Sequence, residues 1–474
     1  MTRQSSRPER LFTRAFQPAD YSALAFFRIA FGVSLASFAF KYLSSPALAA
    51  DFIAPRFHLT YFGFEWVRPW PESGMYLHFL VMLISAIGVA IGLFYRGAAV
   101  LLLYTFAHVF LIERALYNNH YYLIILLCLL AVVIPLNRVW SVDAIRLGTD
   151  NSAGPVWGLW LLRFQLGVVY VYGGIAKIDS DWLQGQPMKM WLAARSGLPL
   201  VGDFLTRDWS PGLFAWGGLL FDLTIVPLLL WNRTALPAFG LLIAFHLMNS
   251  VLFQIGLFPW LMIAASTIFF RPDWPRRLLR IPVSAPASTT AFADNRTLVR
   301  TAGTFALALY VLLQLLLPFR HLLYEGNPSW TENGQLFAWR MMLRQKLTGV
   351  RFYATESHTG RHGVVDIMPF LNQRQAQMMS RDPDLIVHFA RQLASFYQQQ
   401  GISDIQIRAR VLASLNGRKP QYLIDPSVDL AKEVRRIGSY PWVLPLTEPL
   451  RQESWNLPIN QWEKMVPPPL PVKN

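Results

Sequence analysis

The sequence contains little charge for its length of 474 residues. Asp, Glu, Lys and Arg make up 15% of it, whereas soluble domains carry about a quarter, and hydrophobic types reach 53%. A formal charge of +15 would suggest nucleic-acid binding in a soluble protein. Here much of the arginine lies beside apolar runs, as in the cytoplasmic flanks of membrane helices. Composition therefore indicates a protein of the lipid bilayer and predicts no nucleic-acid partner.

Cysteine and several catalytic signatures are also scarce. The single cysteine, Cys128, lies inside an apolar run, so no intrachain disulfide can form and burial disfavours a reactive thiolate. The sequence has no G-x-x-x-x-G-K-[ST] phosphate loop, no H-E-x-x-H zinc motif and no G-x-S-x-G nucleophile motif. His358 and His362 share a glycine-containing turn rather than a helix face. We therefore expect no metal site.

Nine apolar runs approach the length of about 20 residues that a helix needs to cross a bilayer. They lie near residues 21–43, 75–94, 97–113, 120–136, 156–176, 211–231, 235–253, 256–270 and 300–319. The segment LFQIGLFPW, between the seventh and eighth runs, is interpreted as a tight turn or a re-entrant break. The pattern predicts an all-α polytopic membrane bundle of about nine transmembrane helices.

Basic residues beside these runs predict the orientation. Arginines at the N-terminus indicate a cytoplasmic segment over residues 1–20, and alternation then places the basic loop at 271–280 inside as well. An odd number of crossings puts the chain after the bundle, which spans 21–320, outside the cytoplasm. We expect a bacterial inner membrane or, in a eukaryote, the endoplasmic reticulum.

Residues 321–474 are polar and predict a small extracytoplasmic α+β domain. RFYATE and GVVDIM flank a turn at SHTGRH and indicate a hairpin. Residues 374–400 predict a helix interrupted near Asp382-Pro383. DIQIRARVLAS alternates like a half-buried strand and ends at a turn on Asn416-Gly417.

Ionisable residues in or beside apolar runs are costly and tend to be functional. The candidates are Arg28, His108, His120, Arg163, Lys177, Asp222, His246 and His321. For Arg163 and Asp222 we expect a structural ion pair, or hydrogen bonds within the bundle. His246, with Asn249 one turn on, could make an interhelical hydrogen bond. His120, after Asn118 and Asn119, could bind a polar headgroup or belong to a solvated helix cap.

Lys177 is the sharpest of these candidates. It follows LGVVYVYGGIA and precedes IDSDW, and an apolar setting disfavours its ammonium form, which would make it a usable base. The alternative is a lysine that snorkels at a helix end. Asp179 and Asp181 could hold Lys177 protonated, or they could cap the following segment or orient water.

Several stretches, in order along nearly the whole chain, resemble the vitamin K-dependent γ-glutamyl carboxylase family and its bacterial relatives, membrane proteins with an HTTM domain. They are LAFFRIAFG (24–32), NNHYYL (118–123), VWSVDAI (139–145), LRFQLGVVYVYGGIAKIDSDWLQGQPM (162–188), WGGLLFDL (216–223), FHLMNSVLFQIGLF (245–258), LLPFRHLLYEGNPSW (316–330), WRMML (339–343) and YLIDPSVDL (422–430). Each motif alone is weak, but their ordered combination is specific.

The resemblance implies two coupled half-reactions. A base deprotonates the hydroquinone of vitamin K or a menaquinol, and reaction with O2 yields an alkoxide and finally the quinone epoxide. The alkoxide removes a γ-proton from glutamate in a peptide or secreted protein, and the carbanion adds CO2. The family's base falls on Lys177, and a second catalytic residue falls on His120. Asn119, His246 and His321 fall on positions expected to contact the cofactor.

Two other functions remain open at this stage. A quinol epoxidase or redox enzyme would keep the quinone chemistry without carboxylation. A membrane transporter or lipid-binding protein could use Arg163, Asp222 and His246 along a path, although the sequence has no detectable internal repeat.

Overall fold

The computed structural model describes residues 16–148, 153–253, 255–282, 297–402 and 404–467, with side chains from 303 onward in the fourth range. Most of the predicted cytoplasmic segment, residues 1–15, lies outside the described residues.

Apolar helices form most of the chain up to residue 323. Their bounds are α1 (Ser22–Leu43), α2 (Glu72–Ile91), α3 (Tyr95–Ile112), α4 (Asn119–Val133), α5 (Trp157–Ala176), α6 (Ser210–Leu230), α7 (Ala235–Phe253), α8 (Phe258–Ser266) and α9 (Thr297–Leu316). Helical turns of the 3-10 type extend α8 to Phe269 and α9 to Leu323.

Seven of these helices, within the described part of the chain, are long and apolar enough to cross a membrane. The other two, α4 and α8, are shorter: 15 residues of α4 rise only about 22 Å, against a hydrocarbon core of about 30 Å. The chain is therefore a multi-pass helical membrane protein as predicted, but nine complete crossings are not confirmed.

Two arginines of the bundle, the buried Arg28 and the half-buried Arg163, bind backbone carbonyls at the ends of neighbouring helices. Arg28 on α1 donates to the carbonyl oxygens of Ala90, Leu136, Val139 and Trp140. Arg163 on α5 donates to Ile268 and Phe270 at 2.8 Å each. The predicted Arg163–Asp222 ion pair is therefore wrong for Arg163, whereas the alternative of hydrogen bonds within the bundle is confirmed. Helix ends leave carbonyls without partners in the helix, and a guanidinium has enough donors to satisfy several.

The C-terminal domain, after residue 323, is built on a small antiparallel sheet. Its strands are β3 (Lys346–Glu356), β4 (His362–Val365), β5 (Ile405–Leu415) and β6 (Gln421–Tyr422), in the order β4-β3-β5-β6. A separate short pair, β1 (Pro18–Asp20) and β2 (Ala153–Pro155), joins the start of α1 to the start of α5. The predicted hairpin, the strand at DIQIRARVLAS and the turn after it are confirmed.

Within the described residues, the two longest helices of this domain are α10 (Gln373–Met379) and α11 (Pro383–Gln399), and they confirm the interruption predicted at Asp382-Pro383. The break is local, because proline cannot continue the hydrogen bonding of α10 but fits the first turn of α11. Apolar residues of α11 pack against β5 and form the core of the domain.

Buried ion pairs join the C-terminal domain to the bundle. Arg114, after α3, binds Asp382 and Asp384, and Asp384 also accepts from Arg435 at 2.7 Å. On the other side, Arg418 binds Asp181, which follows α5. The C-terminal domain therefore lies on the side of the bundle where α5 ends at Ala176.

Candidate active site

A cavity of about 480 Å³ lies between α5, α6, α7 and α8, and we call it the bundle cavity. Its walls are largely apolar and come from these helices, from the segment between α5 and α6, and from the segment after α9. They include Val169, Trp182, Met188, Leu213, Phe214, Phe245, Phe253, Phe258, Met262, Met341 and Met342. Only a few polar side chains line it, chiefly Lys177, Asp222, His246, Tyr170 and Asn249.

The end of α5 brings Lys177 into the bundle cavity. Lys177 is the C-cap residue directly after α5, and its side chain turns back along the helix so that Nζ donates to the Gly173 carbonyl at 3.2 Å. Nζ also lies 5.4 Å from the centroid of the Trp182 ring. Lys177 is only 6% exposed. The alternative of a lysine that snorkels into solvent is therefore wrong for this side chain.

Asp222 on α6 is the acidic partner of Lys177. Nζ of Lys177 donates to Oδ2 of Asp222 at 2.6 Å, and both side chains are buried. The close approach of α5 to α6 depends on two glycines: a Cβ on Gly174 would lie 2.7 Å from the Leu223 side chain, and one on Gly173 would lie 3.3 Å from Oδ2 of Asp222. The glycine pair thus lets the carboxylate of one helix reach the end of the other.

The two aspartates that follow Lys177 have other partners. Asp179 caps the short helix Ser180–Leu183 by accepting from the backbone N–H groups of Asp181 and Trp182. Asp181 is buried and accepts from Arg418 at 2.6 and 2.8 Å and from Asn416 at 2.9 Å. Among the alternatives for this pair, capping is confirmed for Asp179.

His246 on α7 lines the bundle cavity, and only one of its two ring nitrogens has a hydrogen-bond partner among the described residues. Its Nε2 lies 2.9 Å from the hydroxyl of Tyr170 on α5, which confirms the expected interhelical hydrogen bond. Its Nδ1 is buried and has no hydrogen-bond partner among the described residues. A buried polar atom without a partner is unusual in a folded protein, and here it borders a cavity large enough for a ligand.

The remaining predicted site residues do not line the bundle cavity. The His120 ring lies 5.3 Å from the ring of Phe258, and it is Phe258 that borders the cavity. Asn119 accepts from the Tyr117 hydroxyl at 3.1 Å. His321 contacts the Pro318 carbonyl at 2.9 Å through Nδ1 and packs against Gly334. The fold thus brings Lys177 and His246 to one cavity, with His120 one aromatic ring away.

Sequence reasoning missed the pairing of Asp222 with Lys177 and the contact of Tyr170 with His246. The available signal was an acid in WGGLLFDL and a tyrosine in LGVVYVYGG, but spacing cannot show which residue on another helix each one meets. Chemically, the site offers an acid–base pair and an unpaired imidazole nitrogen within apolar walls. Such a site suits a largely apolar molecule with a few ionisable oxygens.

Two family models match the chain. Residues 16–274 match the HTTM domain, and residues 299–449 match the vitamin K-dependent gamma-carboxylase, lumenal domain. No solved structure matches it.

Proposed function

Because the chain belongs to the vitamin K-dependent γ-carboxylase family, with an HTTM domain followed by a lumenal domain, we propose that it is a membrane γ-glutamyl carboxylase. The enzyme would couple oxygenation of a reduced naphthoquinone to carboxylation of glutamate in a peptide or secreted protein. The buried Lys177–Asp222 pair at the wall of an apolar cavity carries the proposal.

The bundle cavity suits reduced vitamin K or menaquinol. Its volume falls within the roughly 300–1,000 Å³ of small-molecule sites, and its aromatic and methionine walls suit a fused ring with an isoprenoid tail. The unpaired Nδ1 of His246 provides a hydrogen-bond partner for a ring oxygen. When bound, the hydroquinone would supply, with O2, the strong base that removes the γ-proton of glutamate before CO2 adds.

Lys177 would accept the phenolic proton, and Asp222 would make that transfer favourable. With Lys177 neutral and Asp222 ionised, the site carries one buried negative charge. Taking up a proton converts this site into an ion pair with no net charge, and a buried isolated charge is far less stable than a buried pair. The carboxylate 2.6 Å from Nζ would therefore stabilise the proton once Lys177 has accepted it, and it holds Nζ in place.

The apolar walls would protect this chemistry from water. Water would quench a strong base, and phenylalanine and methionine are the commonest residues in the lining of the bundle cavity. We retain His120 as a proposed second catalytic residue. It is separated from the bundle cavity by the ring of Phe258, and Asn119 is its neighbour in the chain. His321 stays a candidate cofactor contact on the side of the C-terminal domain.

We place the C-terminal domain and the Lys177 end of α5 outside the cytoplasm. The ion pair between Asp181 and Arg418 supports a common side for both. A secreted glutamate substrate would then reach the cavity rim from the side on which the C-terminal domain lies.

The test uses the full chain in lipid nanodiscs with reduced vitamin K, O2, labelled bicarbonate and a glutamate-containing peptide. Wild type should form epoxide and labelled peptide, and Lys177→Ala should lose both by at least about 100-fold, the usual contribution of a general base. Lys41→Ala, which removes an exposed lysine at the end of α1, is the matched control and should act like wild type. Epoxide without labelled peptide would instead identify a quinol epoxidase, and full epoxidation by Lys177→Ala would remove Lys177 from the proposed role.

A further inference from the structure

The sheet of the C-terminal domain has one face that does not pack on α11. Side chains at directly opposed positions of antiparallel strands lie on the same face. Arg351 of β3 opposes Arg410 of β5, and Tyr353 opposes Arg408 in the same register. The opposite face of the sheet, which carries Phe352 and Ala409, is buried in the domain core. Arg351, Arg408 and Arg410 therefore share the other face, which we call the arginine face.

The arginine face carries more positive charge than its own acids neutralise. Like charges directly opposed across two strands destabilise a sheet, and Arg351 and Arg410 are such a pair. Arg351 is 48% exposed and binds Glu463 at 2.9 Å. Arg408 and Arg410 are exposed, and neither makes an ion pair with any residue that the structure describes. Two cations thus remain available beside one that already holds a carboxylate.

The contact between Glu463 and Arg351 indicates the kind of group that the arginine face binds. Glu463 lies in the short helix Trp462–Met465, whose Trp462 is buried against Leu412 and Tyr422 beside the arginine face. A carboxylate next to an aromatic anchor is therefore already bound at one end of the face by the chain itself. Beside this contact, Arg410, which directly opposes Arg351, lies 5.3 Å from the centroid of the Tyr353 ring, and Val364, which opposes Tyr353 on the edge strand β4, is exposed.

We propose that the arginine face is a docking surface for an acidic segment of the peptide substrate, recognised through Arg408 and Arg410. The proposal rests on the proposed carboxylase function, because that reaction requires a glutamate-containing peptide. Carboxylate and guanidinium groups match in charge and in hydrogen-bond geometry. Tyr353 and the exposed edge of β4 provide apolar contact and unpaired backbone groups for an extended chain.

Strand β5 connects the arginine face to the bundle cavity. It runs from Arg410 toward Leu415, and the turn after it brings Asn416 and Arg418 onto Asp181, four residues after Lys177. Five residues of strand span about 17 Å. A docked substrate therefore needs an extended segment of at least about five residues between its acidic docking part and the glutamate that is carboxylated.

Direct binding tests the proposal without any catalytic readout. The probe is a fluorescent peptide of alternating glutamate and alanine, titrated onto the full chain in neutral-lipid nanodiscs, with an alternating glutamine–alanine peptide as the uncharged comparison. The double variant Arg408→Gln/Arg410→Gln should weaken binding of the glutamate peptide about tenfold and leave the glutamine peptide unaffected. Lys432→Gln/Arg436→Gln, which removes two exposed cations from the same domain, should change the affinity less than twofold.

Two results of the binding experiment would overturn the docking surface. One is equal loss of peptide binding in both double variants, which would mean that only net charge matters. The other is unchanged peptide binding with weaker association to vesicles of anionic phosphatidylglycerol, which would assign the face to lipid headgroups.

Measurements of enzyme activity distinguish a failure of the docking proposal from a failure of the carboxylase function on which it rests. In Arg408→Gln/Arg410→Gln, KM for a long acidic peptide should rise about tenfold, while KM for a glutamate tripeptide and the rate of epoxide formation should stay at the wild-type values. If wild type forms no epoxide, the carboxylase function is refuted, but the result of the binding experiment still stands. Equal KM values for the long peptide in wild type and variant would refute the docking surface alone.

Discussion

At the residue scale, the proposed chemistry depends on one contact between two helices. Lys177 Nζ and Asp222 Oδ2 are 2.6 Å apart, and both side chains are buried. Without the carboxylate, a proton on Lys177 would be an unpaired buried charge, which folded proteins strongly disfavour. Asp222 is thus expected to matter for proton uptake as much as the lysine itself.

Asp222→Asn tests this dependence with little change in volume. The variant keeps an oxygen near Nζ but removes the negative charge, so we expect epoxide formation to fall by about 100-fold, a typical loss for a damaged acid–base group. The rate of epoxide formation in nanodiscs is the measurement, and Asp203→Asn, at an exposed position before α6, is the control. Wild-type rates in Asp222→Asn would show that Lys177 works without its partner.

A second residue-scale prediction concerns His388 on α11. Burial, reinforced by the charge of Arg435, lowers the pKa of His388 to about 3, against about 6.5 in an unfolded chain. The unfolded state therefore binds more protons below pH about 6.5, and the free energy of unfolding should fall as pH drops. Wild type should lose about 2 kcal/mol between pH about 6.5 and 5.

The measurement is a denaturation series for the C-terminal domain within the full chain, compared with His388→Gln. The variant cannot gain this proton, so its stability should be nearly flat over that interval. His358→Gln, at an exposed turn, should follow the wild-type curve. A slope in His388→Gln equal to that of wild type would assign the pH dependence to other groups.

At the scale of elements, glycines decide how closely the helices pack. A Cβ on Gly32 of α1 would lie 2.6 Å from the backbone nitrogen of Ala90 and 2.7 Å from the oxygen of Ala86, both on α2. Backbone atoms cannot move aside as a flexible side chain can. The contact between α1 and α2 therefore requires glycine at this position.

Gly32→Ala and Gly240→Ala form a matched pair for this effect. Gly32→Ala should lower Tm by several degrees, because overpacking costs about 1–3 kcal/mol. A Cβ on Gly240 of α7 meets nothing within 4 Å, so alanine there should leave Tm unchanged or raise it through better helix propensity. Thermal unfolding in detergent measures both, and an equal drop in both variants would contradict the packing argument.

The short helices α4 and α8 also belong to this scale. Asn118 caps α4 by accepting from the N–H of Tyr121, and α8 begins at Phe258 with Pro259 in its first turn. The break between α7 and α8 lets Phe253, Ile255 and Phe258 line the bundle cavity. Apolar run length predicted two further full spans here, whereas local capping and proline set the actual helix ends.

At the scale of the whole molecule, buried ion pairs connect the helical bundle to the C-terminal domain. Asp181 has both carboxylate oxygens bound by Arg418 and Asn416, in the segment that directly follows Lys177. Any movement of the turn at Asn416–Arg418 therefore acts on the segment that holds the proposed base.

Arg418→Ala should disturb both parts at once. Removing one partner of a buried ion pair costs about 3–5 kcal/mol, because the remaining charge is unpaired. We expect faster proteolysis of the C-terminal domain and a lower rate of epoxide formation, measured on the same preparation. Lys419→Ala, at the adjacent residue without an ion pair in the described structure, should behave like wild type in both assays. Normal epoxide formation despite faster proteolysis would limit the contact to a structural role.

The sequence alone determined the membrane bundle, the small α+β domain and the position of Lys177, because run length, strand alternation and turn residues act locally along the chain. Only the tertiary structure decided that Lys177 meets Asp222 rather than Asp179 or Asp181, and that Asp181 binds Arg418. These partners lie 45 and 237 positions apart in the chain. Such pairings depend on helix crossing and domain docking, which no local pattern encodes.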